Sequence, residues 1–160
     1  MEPTFSSGDY IFTSKITYKL RKPQRGDVVV FRAPTNPDIE YIKRTMGLPG
    51  DKIMIKNDEI YLNSQQLTEP YIMAKKGTWE TGYMKEGTSI TVQPDELFVM
   101  GDNRPHSSDS REFGPVHANS IIGYVFYRYF PPNKVGVISN PLPSQLHTIT
   151  LPHFLFVRGF

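Results

Sequence analysis

Lys43 lies in a run of large residues, Tyr41-Ile42-Lys43-Arg44-Thr45-Met46, that closes on the turn Gly47-Leu48-Pro49-Gly50-Asp51. A lysine can accept a proton only when its amine is neutral. In water only about one in ~2,500 is neutral at pH 7. Desolvation by apolar neighbours lowers the pKa by up to ~3–5 units, so a lysine in an apolar strand is a candidate general base. The competing reading is an edge-strand lysine that points at solvent, and for a lone lysine that reading prevails. A second segment changes the balance. Residues 101–114, Gly-Asp-Asn-Arg-Pro-His-Ser-Ser-Asp-Ser-Arg-Glu-Phe-Gly, crowd Asp102, Asn103, Arg104, Ser107, Asp109, Ser110 and Arg111 into one short loop. Ser107 could hydrogen-bond a lysine amine. Asp109 and Arg111, two apart, share a face of an extended backbone and could pair. A solvated polar turn remains the alternative for the loop alone.

Other polar residues offer less. His106 stands beside serines and Asp109, but a Ser-His-Asp triad is assembled from distant segments, so His106 reads as an exposed loop histidine. His117, His147 and His153 show no metal-ligand spacing. Trp79 reads as a packing anchor.

The elements that must position Lys43 are strands. Tyr10–Thr13, Asp27–Arg32, Ile39–Met46, Lys52–Lys56, Glu59–Leu62, Thr88–Val92, Leu97–Met100 and Ile121–Phe130 are short β-type runs between turn signals. Asn57-Asp58 is a two-residue hairpin signal, Asn36-Pro37-Asp38 reads as a turn, and Ile121–Phe130 as a central strand. Only Ser14–Leu20 and Ala118–Ile122 suit a helical turn. The pattern predicts an all-β domain with little helix. Alternation in the third run places Tyr41 and Lys43 on one face and Ile42 on the other. Residues 139–160 carry Pro141, Pro143 and Pro152 without periodicity. They are expected to be a loosely attached extension, or one last strand at Phe154–Val157, beyond a domain over residues 1–138.

The chain has 160 residues, enough for one domain with a core. Its net charge of +2, with basic residues scattered apart from pairs such as Lys75-Lys76, argues against nucleic acid. The absence of cysteine excludes disulfides and a thiol nucleophile. No apolar run approaches the ~18 residues of a membrane span, so no anchor or targeting segment is expected in the chain as written.

Taken together, the motifs resemble type I signal peptidases, Ser/Lys endopeptidases that remove signal peptides from exported proteins. Met1-Glu2-Pro3-Thr4-Phe5 resembles the end of the nucleophile box, Ser-Met-x-Pro-Thr-Leu. Arg25–Phe31 matches the next box, Tyr41–Asp51 the general-base box, and Gly101–Gly114 the Gly-Asp-Asn-Arg-x-x-Ser-x-Asp-Ser-Arg box. Tyr61-Leu62-Asn63 and Glu69-Pro70-Tyr71-Ile72 are also typical. The resemblance implies a signal-peptidase-like coiled β-sheet domain. It makes Lys43 the general base, oriented by Ser107. It makes Asp109 and Arg111 a structural ion pair, with Asp102 and Arg104 bracing the loop. Met1, Phe5, Ile11, Val30, Tyr41 and Ile42 take the pocket positions that favour small residues one and three places before the cut. The implied partners are signal peptides, added as a strand beside residues 39–43, and the membrane surface. No metal or cofactor is implied. The family's place is membrane-anchored, on the extracytoplasmic face.

One departure stands out. The family's nucleophilic serine immediately precedes the position of Met1, so the chain as written lacks it and is expected to be inactive. Ser6 and Ser7 are displaced six or seven residues from the required place. Truncation just after the serine is the economical account. The alternative is a non-catalytic pseudoprotease that binds signal peptides or a partner. A self-cleaving repressor-type Ser/Lys domain would need a DNA-binding module and an Ala-Gly scissile pair, and neither is present.

Overall fold

A computed structural model describes residues 1–74 and 82–142. Lys75-Lys76, Trp79, His147, His153 and the possible strand at Phe154–Val157 lie outside the described residues. Among the described residues eleven strands run in chain order: β1 (Tyr10–Ser14), β2 (Val28–Ala33), β3 (Asn36–Gly47), β4 (Lys52–Lys56), β5 (Glu59–Leu62), β6 (Gln65–Gln66), β7 (Ser89–Thr91), β8 (Glu96–Met100), β9 (Val116–His117), β10 (Ile121–Phe130) and β11 (Gly136–Val137). Two single-turn helices, α1 (Thr17–Leu20) and α2 (Ser110–Phe113), accompany them. The fold is thus mainly β, as the turn-punctuated sequence predicts.

The larger sheet has the order β1-β10-β2-β3-β8-β9, with β11 beside the second half of β10. The smaller sheet has the order β6-β5-β4-β7. Every ladder is antiparallel. β10 is paired on both sides, with β1 along one edge and β2 then β11 along the other. Tight turns set the register of the smaller sheet. Asn57 and Asp58 take φ of 51° and 61°, the left-handed pair that matches strand twist. Asn63 and Ser64 repeat the device at 51° and 69°, joining β5 to β6 without the glycine that would have flagged a turn.

Period-two alternation divides the apolar residues among three cores. On one face of the larger sheet Val29, Phe31, Leu97, Val99 and Val116 cluster with Tyr41, Phe113 and Ile121. On the other, Phe5, Val28 and Val125 cluster with Met1, Ile11, Val30 and Ile42. The third core joins the sheets: Met46, Phe98 and Met100 pack with Ile53, Ile55, Ile60 and Leu62. Successive residues of β8 therefore serve different cores. Packing also continues past residue 138. The Asn140 side chain donates to the Arg25 carbonyl, and Leu142 is buried in the third core.

Two local expectations are corrected. β3 begins at Asn36, so Asn36-Pro37-Asp38 is strand and the turn is Pro34-Thr35. A proline is tolerated in a stretch that is paired on one side only. The loop after β8 is not extended, because α2 and a 3-10 turn at Arg104–His106 fold it against β8.

Phe98 is fully buried where the two sheets meet. Phe98→Ala should cost about 3–5 kcal/mol, read as a lowered urea midpoint with a single transition retained.

Candidate active site

β3 carries Lys43 opposite Val29 of β2 on one side, with no ladder partner among the described residues on the other. β8 pairs with β3 only at Arg44, Thr45 and Gly47, whereas β2 pairs with it from Asn36 to Arg44. Among the described residues, the stretch from Asn36 to Lys43 thus has a free ladder edge facing away from β2. Lys43 stands at its inner end, where β8 begins to cover the strand.

The Lys43 ammonium lies 5.1 Å from the centre of the Tyr41 ring. Burial pushes its pKa below the ordinary lysine value. The Asp109 carboxylate opposes that shift, the Arg111 guanidinium adds to it, and Asp102 opposes it weakly. Desolvation prevails, so the amine loses its proton at lower pH than a free lysine.

Ser107 lies against the same side chain. A Cβ added to Gly101 would fall 2.2 Å from the Ser107 hydroxyl and 3.7 Å from Cδ of Lys43. Only glycine lets these two groups converge. The Ser107 hydroxyl is buried and makes no hydrogen bond. The structure therefore places it beside the aliphatic stem of Lys43, with the amine turned over Tyr41 and not bonded to the serine.

The loop that supplies Ser107 is held by three buried ion pairs. Asp109 caps α2, accepting from the Arg111 backbone N–H at 3.2 Å and from its guanidinium at 2.7 and 2.8 Å. The pair arises from this helical cap and not from an extended backbone. Asp109 also accepts from the Gly101 N–H at 3.0 Å, and Arg111 donates to the Arg104 carbonyl at 2.9 Å. Arg104 pairs with Glu69, with one bond of 2.8 Å, and donates to the Gly101 carbonyl at 3.0 Å. Asp102 receives both Nε and Nη2 of Arg44, at 2.9 and 2.7 Å.

The first residues are fixed to this scaffold. Thr4 donates its hydroxyl proton to Asp102 at 2.5 Å and accepts from Arg44 at 3.2 Å. Arg128 of β10 donates to the Thr4 carbonyl at 2.8 Å and to Asp9 at 3.0 Å. The segment so anchored brings the α-amino group of Met1 into the electrostatic range of Lys43. Burial first, then the Lys43 charge, lower the pKa of that amine.

Of the pocket positions, Met1, Phe5, Ile11, Val30 and Ile42 converge in one cluster. Tyr41 is separate, on the opposite face, with Phe31 and Phe113 at ring distances of 6.1 and 6.4 Å. His106 is exposed, in contact with Asn103. No group of three or more histidine, aspartate or glutamate side chains among the described residues could hold a metal ion.

Reasoning from sequence missed Arg44, Thr4, Arg128 and the clamp of Glu69 and Tyr71. The Tyr71 hydroxyl donates to Glu69 at 2.6 Å, and its ring stacks under the Arg44 guanidinium at 4.6 Å. Arg44 had one signal, a second cation next to Lys43 in an apolar run. Alternation turns that cation to the face opposite Lys43, where the Asp102 carboxylate balances its charge and the Gly26 carbonyl accepts a further N–H at 3.0 Å.

Comparison with known proteins shows the family. The profile of the family "Signal peptidase, peptidase S26" matches residues 1–130. A "Signal peptidase I" of Bacillus caldolyticus is 41% identical over 138 residues, covering 82% of this chain and 75% of the relative. A "Signal peptidase IB" of Staphylococcus aureus strain MRSA252 is 36% identical over 152 residues, covering 88% of this chain and 78% of the relative. The crystal structure of a signal peptidase I from Enterococcus faecalis V583 superposes with a TM-score of 0.54 at 34% identity, covering 65% of this chain and 97% of that one. The chain belongs to the signal peptidase family, peptidase S26.

The state of Lys43 has a stability consequence. The unfolded lysine titrates near ~10.4, and the folded one below that. Between the two values the unfolded chain binds more protons, so stability rises with pH across that window. Below the folded value the cost of the buried ammonium is complete. Lys43→Met removes that cost, so the variant should melt above the parent at about pH 6, with the gap closing toward about pH 10. Thermal scans at the two pH values check this, and a gap independent of pH would place the amine in water.

Proposed function

We propose that this chain is the catalytic domain of a type I signal peptidase, a Ser/Lys endopeptidase that cuts exported preproteins after small-x-small segments. The observation that carries the reading is electrostatic. The nitrogen of Met1, to which this reading joins the nucleophilic serine, lies within range of the charge of a desolvated Lys43.

In this mechanism the neutral Lys43 amine takes the proton of that serine hydroxyl as its oxygen attacks the scissile carbonyl. The resulting ammonium returns the proton to the departing amine as the peptide C–N bond breaks and an acyl-enzyme ester remains. Lys43, neutral again, deprotonates the water that hydrolyses the ester. Ser107 limits the positions open to the amine. The pairs Asp109–Arg111, Asp102–Arg44 and Arg104–Glu69 fix the loop and remove net charge from around the base.

The substrate lies as an added strand on the free edge of β3, with its main chain hydrogen-bonded there. The side chains one and three places before the cut face the cluster of Met1, Phe5, Ile11, Val30 and Ile42. Tyr41 borders the base and not this pocket.

The membrane surface is the second partner, on the extracytoplasmic face. Tyr10, Phe12, Phe126, Tyr129 and Phe130 stay exposed on β1 and β10, and Phe12 stacks on Tyr129 at 4.6 Å. Contiguous tyrosine and phenylalanine rings suit the interfacial layer of a bilayer.

A protein carrying serine immediately before Met1, with the segment upstream of it, should cleave a peptide containing Ala-x-Ala after the second alanine, as mass spectrometry of the products would report. In that protein Lys43→Met should lower kcat by at least about 10⁴-fold. Binding of the peptide without cleavage would favour the pseudoprotease reading, and cleavage retained in the methionine variant would remove Lys43 from the base role.

A further inference from the structure

One end of the larger sheet gathers the end of β1, the end of β2, the turn into β3 and the start of β10. A groove of about 650 Å³ opens there, lined by Lys15, Arg32, Pro34, Pro37, His117 and Ile122 among others. It is distinct from the cluster around Lys43 and has no part in the chemistry above.

Its lining carries two cations, Lys15 and Arg32, and no carboxylate, although Glu40 stands opposite Arg32 in the β2–β3 ladder. Neither cation meets a hydrogen-bond acceptor or an ion-pair partner among the described residues. This is unlike Arg25, Arg44, Arg104, Arg111 and Arg128, each of which is paired with an acid. The remaining wall mixes apolar groups, Pro34, Pro37 and Ile122 among them, with the polar side chains of His117, Asn119 and Ser120. Such a groove suits an anion joined to an apolar body.

The surroundings indicate which one. Ile16 follows Lys15 and is 62% exposed, and Leu20, four residues on across α1, is 84% exposed. Residues four apart share one side of a helical turn. Two exposed aliphatic side chains thus stand on the turn that follows Lys15. The adjoining strand β1 carries the exposed Tyr10 and Phe12.

We infer that this groove binds the phosphate-bearing headgroup of an anionic lipid, with Lys15 and Arg32 as counter-charges and Ile16 and Leu20 entering the acyl layer beside it. The inference rests on the membrane reading given above and names the lipid chemistry. It also fixes an orientation. Pro37 belongs both to the groove wall and to the free edge of β3, so the bilayer surface meets the domain at the outer end of the edge that receives the substrate.

The test uses the full chain and sedimentation with vesicles of phosphatidylcholine alone or with about 30% phosphatidylglycerol at constant salt. Each basic residue near an anionic surface contributes roughly fivefold in binding. Lys15→Gln with Arg32→Gln should weaken binding to the anionic vesicles by about thirtyfold and leave binding to neutral vesicles unchanged. Lys52→Gln with Lys56→Gln, an equal loss of charge on the exposed side of β4, should have little effect. Equal loss in both double variants would show diffuse attraction and overturn the groove. Release from anionic vesicles down to the neutral level by millimolar inorganic phosphate or triglutamate would show a soluble-anion or acidic-peptide site and overturn the lipid assignment. Failure of the parent to bind either vesicle would instead overturn the underlying membrane reading.

Discussion

Arg44 follows Lys43 directly and carries its charge with a side chain almost wholly removed from solvent. A guanidinium in that position has to be neutralised by a carboxylate at hydrogen-bonding distance, because an uncompensated buried charge costs several kcal/mol. Asp102 supplies that carboxylate from the far end of β8 and also holds Thr4. One bidentate contact thus ties together the strand of Lys43, the loop that carries Ser107 and the first residues of the chain. The tie is also directional. A bidentate guanidinium–carboxylate contact fixes a plane and two bond vectors, so it sets the angle at which the loop meets β3 as well as its distance.

The two other buried pairs extend the same logic outward. Arg111–Asp109 closes the loop on itself, and Arg104–Glu69 joins it to the segment that follows β6. Their charges cancel locally, which matters for Lys43. Asp109 alone would favour the ammonium and Arg111 alone would disfavour it. With both in place, desolvation sets the direction of the shift. The loop is polar in composition yet buried in fact, and the pairing reconciles the two.

Much of this was legible from residue order. β10 has the bounds that its aromatic, β-branched run suggests, and the β4–β5 hairpin follows from Asn57-Asp58 between two alternating runs. Alternation also separated Tyr41 and Lys43 from Ile42 correctly. Other features had no local signal. β6, β9 and β11 are two residues long, too short to show a period. Asp109 and Arg111 were paired in sequence, but the cap that joins them depends on α2 folding against β8. Arg44 with Asp102 and Arg104 with Glu69 are separated by 58 and 35 positions. Nothing in a single sequence ranks such pairings above others of like charge. The open edge of β3 was equally hidden, because it depends on where β8 stops.

β8 places Leu97 and Val99 in one core and Phe98 and Met100 in another. Detaching the smaller sheet would expose one side of the strand whose other side supports the Phe31–Tyr41–Phe113 aromatic group. The two sheets are consequently one thermodynamic unit, and amide protons in β4 and in β2 should exchange through a common global opening and not through separate subdomain events. Lys43 then owes its desolvated surroundings in part to the smaller sheet, which backs β8 from the other side.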